Sequence, residues 1–198
     1  MYSPSHFDET RPELLQGLIA QYPLGTVIVN GAEGLVADHI PFELGAATPE
    51  APFGVLRAHV ARANPLWRHT GEALVVFQGP SSYVSPSLYQ EKPVSGKVVP
   101  TWNYAVVHAH GRLRAVDDAV WMLALLERLT AKHEASRAAP WSVHDAPREW
   151  VEKIMQVLVG IEIPVRKMQG KWKMSQNRTQ QDQRMVAADT GMGVYPRR

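Results

Sequence analysis

Four short β-like segments follow one another between residues 25 and 78, separated by glycine, proline or polar residues at hairpin-like distances. They read GTVIVN, GLVADHIPFEL, FGVLRAHV and ALVVFQ. Short connections join antiparallel strands, whereas parallel strands need crossovers of a dozen or more residues. The segments therefore predict an antiparallel meander and not a βαβ series.

Apolar residues recur at helical spacing in two other segments, DETRPELLQGLIAQYP near the start and DDAVWMLALLERLTAKHE in the second half. Pro12 suits the first turn of the first helix, and Asp117 or Asp118 can cap the second. The predicted buried stripes are Leu14, Leu15, Leu18 and Ile19 in the first helix and Met122, Leu125, Leu126 and Leu129 in the second.

The rest of the chain adds a long β candidate, TWNYAVVHAHGRLRAV, and a last strand or strand pair, VGIEIPVRKMQGKWKM. Helices are predicted in APREWVEKIMQVL and in NRTQQDQRMVAAD, where Asn177 and Gln180 have the spacing of a capping box. Five or six strands in a hairpin-rich order, with helices between and after them, predict a mainly β protein, a small antiparallel barrel with flanking helices. Side chains fill such a barrel, so a ligand must bind outside it or between subunits.

Length and composition limit the remaining choices. A chain of 198 residues that is 45% hydrophobic suits one core, so we expect a single domain over residues 1–198 with residues 172–198 as a C-terminal helical arm. The absence of cysteine excludes disulfides and thiol catalysis. A net charge of +2 gives little support for nucleic-acid binding, and no signal peptide or membrane span is indicated, so the expected location is the cytoplasm.

The stretch HVARANPLW follows the third β segment and gathers polar groups at its end. Alternation places Leu56, Ala58 and Val60 on one face and His59 on the other. Asn64 and Pro65 have the composition of a helix start, and exposed helix amides beside Arg62 outline a phosphate site. The alternative is that Asn64 only caps a short helix and Arg62 is a solvated surface residue.

Two histidine motifs are weaker. His108 and His110 have the spacing that places two imidazoles on one face of a strand, but with no third ligand evident they are predicted to be a satisfied or solvent-facing pair and not a metal site. Asp38 and His39 are neighbours on a strand, so they point to opposite faces and cannot act as a dyad through adjacency. His39 can still face a bound ligand.

Six blocks, in order along nearly the whole chain, resemble the PaiB family of FMN-binding negative transcriptional regulators. They are the opening MYSPSHFDETRPELLQGLIAQYPLGT, then ADHIPFEL, LRAHVARANPLW, VFQGPSSYVSPSLY, VPTWNYAVVHAHG and KWKMSQN. The resemblance implies an antiparallel FMN-binding split β-barrel of the pyridoxamine-phosphate oxidase type. It also implies a homodimer with FMN at the subunit interface.

The same resemblance implies the FMN contacts. The HVARANP block would contact the phosphate and the ribityl chain. The PTWNY and KMSQN blocks would add hydroxyl, aromatic and amide contacts. The alternatives are a core position for Trp102 and a purely capping role for Asn177. The implied FMN-binding residues are His39, His59, Arg62, Asn64, Lys97, Thr101, Trp102, Asn103, Lys173, Ser175, Gln176 and Asn177.

Two functions are compatible with these observations. The family points to a flavin-binding repressor, and many split barrels point to an FMN-dependent oxidoreductase with an indirect effect on transcription. No helix-turn-helix is recognisable. If DNA is bound directly, the cations must come from the segment Arg166–Lys173 and from Arg197 and Arg198.

Overall fold

The computed structural model describes residues 1–195, so the predicted cations Arg197 and Arg198 lie outside the described residues. The chain groups into two compact units. Unit 1 comprises Met1–Tyr22, Phe77–His108 and the described residues from Gln169 onward, and unit 2 comprises Pro23–Val76 and Ala109–Met168. The single domain with an arm at residues 172–198 stays a prediction.

Nine strands and five α-helices are found within residues 1–195. The strands are β1 (Asp8–Glu9), β2 (Leu24–Gly31), β3 (Gly34–Pro41), β4 (Glu43–Gly45), β5 (Val55–Ala61), β6 (Glu72–Val84), β7 (Thr101–Arg112), β8 (Arg114–Val116) and β9 (Leu158–Lys173). The helices are α1 (Pro12–Gln21), α2 (Glu91–Ser95), α3 (Ala119–Glu134), α4 (Arg148–Gln156) and α5 (Gln180–Thr190). The long strands β6, β7 and β9 contribute residues to both units.

The strands are hydrogen-bonded in the order β3-β2-β6-β7-β9-β5-β4, with β1 and β8 also paired to β9. The registered pairs are antiparallel, with Leu24 opposite Pro41 in β2/β3 and Val55 opposite Pro164 in β5/β9. The predicted class, mainly antiparallel β with flanking helices, is confirmed, although the order of the described strands does not close into a ring. The predicted meander holds for the first three segments, since β2 pairs with β3 and β4 with β5, but it is wrong for the fourth, because β6 pairs with β2 and β5 pairs with β9.

The helix predictions from periodicity are confirmed for α1 and α3. Leu15, Leu18 and Ile19 of α1 are buried, as are Met122, Leu125 and Leu129 of α3, whereas Leu14 and Leu126 are half-buried. The carboxylate of Asp118 caps α3 by accepting a hydrogen bond from the Trp121 amide at 2.8 Å. Because Asp118 caps the helix, the Asp117 carboxylate is available for another partner.

The start of the last helix differs from the prediction. Helix α5 begins at Gln180, and the Thr179 hydroxyl caps it by accepting a hydrogen bond from the Asp182 amide at 3.1 Å. Asn177 lies two residues before this cap and is exposed. The predicted capping by Asn177 is therefore wrong, because the Thr179 hydroxyl satisfies the first turn.

A buried carboxylate organises the charges of unit 2. Glu162 of β9 is only 8% exposed, and its oxygens accept hydrogen bonds from Arg57 (3.0 Å), Arg114 (2.6 and 3.1 Å) and the Trp121 indole (3.3 Å). Burial alone would raise the pKa of Glu162, but the hydrogen bonds from Arg114 and Arg57 outweigh it and lower that pKa. The ionised carboxylate thus joins β5, β8, β9 and α3 within this unit.

Unit 1 has its own buried carboxylate, Glu9. Its oxygens accept hydrogen bonds from the Thr10 and Arg11 amides, from the Arg11 guanidinium at 2.6 Å and from the Tyr195 hydroxyl at 2.6 Å. Burial acts to raise the pKa of Glu9, yet the hydrogen bonds from Arg11 and Tyr195 prevail and lower it to about 2. Glu9 therefore anchors the last described residue to the first strand.

Candidate functional site

His59 lies on β5 with its ring turned away from the buried face formed by Leu56, Ala58 and Val60, as alternation predicted. The ring is half-buried and borders a pocket of about 330 Å³, and its buried Nδ1 has no hydrogen-bond partner among residues 1–195. Burial lowers the pKa of His59, so the neutral imidazole is favoured near neutral pH.

Arg62 holds two parts of unit 2 together. Its guanidinium donates to both carboxylate oxygens of Asp117, at 2.7 and 3.0 Å, and to the carbonyls of Gln156 (3.0 Å) and Leu158 (3.1 Å). The hydrogen bond to Asp117 raises the pKa of Arg62 and lowers that of Asp117. A phosphate at Arg62 would therefore have to compete with a carboxylate that is already bound in bidentate fashion.

Asn64 caps a short 3-10 helix at Pro65–Arg68, and its side-chain oxygen accepts a hydrogen bond from the Leu66 amide at 2.8 Å. Its amide nitrogen donates to the Asp38 carboxylate at 3.0 Å. The capping role proposed from sequence is confirmed. His39, the neighbour of Asp38 on β3, is exposed.

A second group of predicted residues meets in unit 1, where β7 begins and β9 ends. The Lys173 ammonium donates a hydrogen bond to the Thr101 hydroxyl. The next side chain, Trp102, is 56% exposed and contacts Tyr83 edge to face, with ring centroids 6.2 Å apart. The core position considered for Trp102 is therefore wrong.

Behind this surface, Asn103 and Ser175 are both buried, and the Asn103 amide donates to the Ser175 hydroxyl at 3.0 Å. Ser175 has a left-handed φ of 62°, a strained conformation for a residue other than glycine that a turn stabilises here. Gln176 supports the turn by accepting a hydrogen bond from the Met174 amide at 2.7 Å and donating to the Trp172 carbonyl.

Two predicted residues lie apart from these side-chain contacts. Lys97 is exposed just after α2, where its backbone amide donates to the Ser95 hydroxyl at 3.2 Å. Asn177 is exposed before α5. Neither is brought into the contacts of Thr101, Asn103, Lys173 and Ser175.

Two residues of these sites were missed from sequence. Tyr83 contacts Trp102, and its position in the Tyr-containing block VFQGPSSYVSPSLY was an available signal. Asp117 was considered only as a helix cap, and nothing local in the sequence indicates that it neutralises Arg62, which lies 55 residues earlier.

The residues of unit 1 fit the chemistry of FMN. A phosphate needs cationic and hydroxyl donors, which Lys173 and Thr101 supply, and a flavin ring needs an aromatic surface, which Trp102 leaves open to solvent. The donor set of unit 1 is therefore compatible with a flavin nucleotide.

Solved structures share this fold. The FAD and heme binding protein of Mycobacterium smegmatis matches with a TM-score of 0.59 and 19% identity, over 84% of this chain and 73% of its own. The flavocytochrome Anf3 of Azotobacter vinelandii matches with a TM-score of 0.62 and 11% identity, over 84% and 69%. An antiparallel β fold with flanking helices is thus the class of the protein.

The family follows from the sequence comparisons. The family described as "Putative FMN-binding domain" matches residues 1–167. Protease synthase and sporulation protein PAI 2 of Bacillus subtilis is 33% identical over 92% of this chain and 85% of its own length, and an uncharacterized protein of Emericella nidulans is 37% identical over 92% and 87%. The chain belongs to this family and is an FMN-binding flavoprotein that resembles PaiB.

Proposed function

We propose that this protein is a regulatory flavoprotein that holds FMN through Lys173, Thr101 and Trp102. The observation that carries the proposal is the contact between Lys173 and Thr101 next to the exposed indole of Trp102. FMN, when bound, supplies one- and two-electron redox chemistry. The residues of this chain bind its phosphate and support its ring.

Charge distinguishes Lys173 from Arg62. Among residues 1–195, the ion pairs within 4 Å do not include Lys173, whereas Arg62 is paired with Asp117. A phosphate next to Lys173 meets a cation that no carboxylate neutralises, so it gains a charge-assisted hydrogen bond without displacing another anion.

Replacing Lys173 with methionine is expected to weaken FMN binding about 10- to 100-fold, which corresponds to losing a hydrogen bond between charged groups. Titration followed by flavin fluorescence measures the dissociation constant. Lys132→Met, at an exposed position of α3, is the control and should leave it unchanged. If Arg62→Met weakened binding more than Lys173→Met, the phosphate would belong at the HVARANP block and the proposal would be wrong.

We further propose a homodimer. Strand β3 is at one end of the strand order, and the exposed apolar side chains of Leu35 (79%), Leu24 (59%) and Val36 (45%) lie on β3 and its neighbour β2. An exposed apolar edge strand tends to pair with another chain, and a second copy of this chain can cover it. Light scattering across a dilution series should show a dimer, and a monomer that retains stoichiometric FMN would contradict this proposal.

Direct DNA binding is not part of the proposed function. In the segment Arg166–Lys173, Arg166 is paired with Glu72, and Lys171 is buried with its ammonium 5.7 Å and 5.4 Å from the ring centroids of Tyr2 and Tyr104. These two cations cannot neutralise DNA phosphates without losing their present contacts. An electrophoretic shift assay with the candidate promoter at near-physiological salt should show no complex that survives excess nonspecific competitor, with or without FMN.

An FMN-dependent oxidoreductase is the second candidate. The exposed aromatic pair Tyr83 and Trp102 favours it, because a ring bound there would remain accessible to a second molecule. Oxidation of a reduced nicotinamide that depends on added FMN would assign the protein to this class, and its absence would favour the regulator.

A further inference from the structure

Unit 1 contains a pocket of about 520 Å³ next to α1, and a glycine in the middle of that helix borders it. Gly17 costs a helix interior about 1 kcal/mol relative to alanine. A Cβ at this position would meet no atom within 4 Å, so packing does not require glycine there. Because Gly17 has no side chain, the pocket has open space at this position.

The rest of the lining is suited to a flat apolar molecule. Leu14 and Leu18 of α1 form one side, and Trp172 and Met174 form another. Methionine adapts its shape to a ligand and makes favourable contacts with aromatic rings, and the small exposed part of Trp172, 8% of its surface, adds an aromatic contact.

The segment after α5 covers part of this pocket. Gly191 ends the helix with a left-handed φ of 68°, and Met192 and Val194 line the pocket. Tyr195 fixes the segment, because its hydroxyl donates to the Glu9 carboxylate at 2.6 Å and accepts from Arg11 at 3.0 Å. The wall formed by this segment is therefore held by hydrogen bonds to the ion pair of Glu9 and Arg11.

The charge of the residues that line the pocket indicates the charge of the ligand. Within residues 1–195, Glu13 in the first turn of α1 is the charged residue of the pocket lining, and the polar side chains of Gln21 and Tyr22 accompany it. A carboxylate attracts an ammonium group and repels phosphate. FMN, which carries a phosphate, is therefore a poor occupant.

From the open position at Gly17, the apolar lining and Glu13, we propose that this pocket binds a small aromatic cation. The ring lies against Trp172 and Met174, and the cation lies near Glu13. The site is separate from the proposed FMN contacts and goes beyond the proposed function.

Calorimetric titration with two probes tests the proposal. 2-Phenylethylammonium and 3-phenylpropionate have the same ring and a similar chain but opposite charges, so the cation is expected to bind and the anion to bind at least several-fold more weakly. Glu13→Gln should reduce the affinity for the cation about two- to five-fold, the effect of one exposed charge. If the proposal is wrong, the cation will not bind, or it will bind no more tightly than the anion.

Gly17→Leu fills the pocket and should reduce the affinity for the cation more than 10-fold while leaving the melting temperature unchanged or higher, because leucine is the better helix former. Ala20→Leu, at an exposed position of α1 outside the lining, is the matched control and should bind normally. If Gly17→Leu fails to fold, Met192→Trp fills the pocket from the opposite wall.

Unchanged affinity in a folded filling variant would overturn the proposal. So would stoichiometric displacement of the probe by FMN, since the pocket would then belong to the cofactor. Because FMN binding is followed separately by flavin fluorescence, failure of the pocket proposal leaves the proposed FMN contacts to be judged by Lys173→Met.

Discussion

Replacing Glu162 with alanine is expected to lower the free energy of unfolding by about 2–3 kcal/mol, because it leaves two arginines facing each other without their shared carboxylate. Glu162 is nearly buried, while the side chains of Arg57 and Arg114 are 30% and 57% exposed. Solvent can hydrate both arginines after the change, so the expected loss is smaller than for a fully buried pair. Urea unfolding at neutral pH measures it.

The pair Arg148–Glu152 provides the matched control. It has a similar distance, 2.8 Å, but the two side chains are 91% and 51% exposed and lie one turn apart on α4. Glu152→Ala should change the free energy of unfolding by less than about 0.5 kcal/mol. Equal effects of the two substitutions would show that burial of Glu162 does not determine its contribution.

Glu9→Gln is expected to destabilise the protein by about 3 kcal/mol at pH 7, and this difference should shrink as the pH falls from about 5 towards 2. The pKa of Glu9 is lowered from 4.5 to about 2 in the folded state. A depressed carboxyl pKa stabilises the folded state above the unfolded pKa, and that contribution is lost as the pH falls through the folded value. Chemical unfolding of both proteins at several pH values gives the difference.

Asp8→Asn is the control for Glu9→Gln, since Asp8 precedes Glu9 on β1 but is exposed. It should show little difference from the parent protein at any pH. A difference between Glu9→Gln and the parent that stayed constant from pH 7 to pH 2 would mean that packing, and not the ionised carboxylate, is responsible.

The elements that were predicted correctly depend on local patterns. The stripe Met122, Leu125 and Leu129 recurs at helical spacing, and alternation identifies one buried face of β5, although Val55 on the opposite face is buried too. The capping by Asn64 also requires only neighbouring residues. Such features are determined by geometry within about one turn of helix or one strand.

The features that were missed depend on distant residues. Besides its neighbour β4, strand β5 pairs with β9, which lies about a hundred residues later, and the contact between Arg62 and Asp117 spans 55 positions. Hydrophobic alternation indicates that a strand has a buried face but not which strand lies beside it. Asn177 and Thr179 both have side chains that can cap a helix, and only the position of the first helical turn distinguishes them.

The family match ends at residue 167, within β9. Lys173, Ser175, Gln176 and Asn177 follow it, so membership in the family does not by itself assign them a role. Thr101 and Trp102 lie within the matched region. The comparison of Lys173→Met with Arg62→Met therefore tests a part of the proposed site that the family match does not cover.

The contribution of β9 to both units has a consequence for biosynthesis. Its residues pair with Val55–Ala61 in unit 2 and with Asp8 and Glu9 in unit 1. Most of the chain must therefore be translated before either unit can complete its strand pairing. Until β9 is synthesised, the strands that pair with it have unpaired edges. Pairing across such long sequence separations is slow. We expect nascent chains that stop before Leu158 to remain sensitive to protease, whichever unit carries the cleavage site.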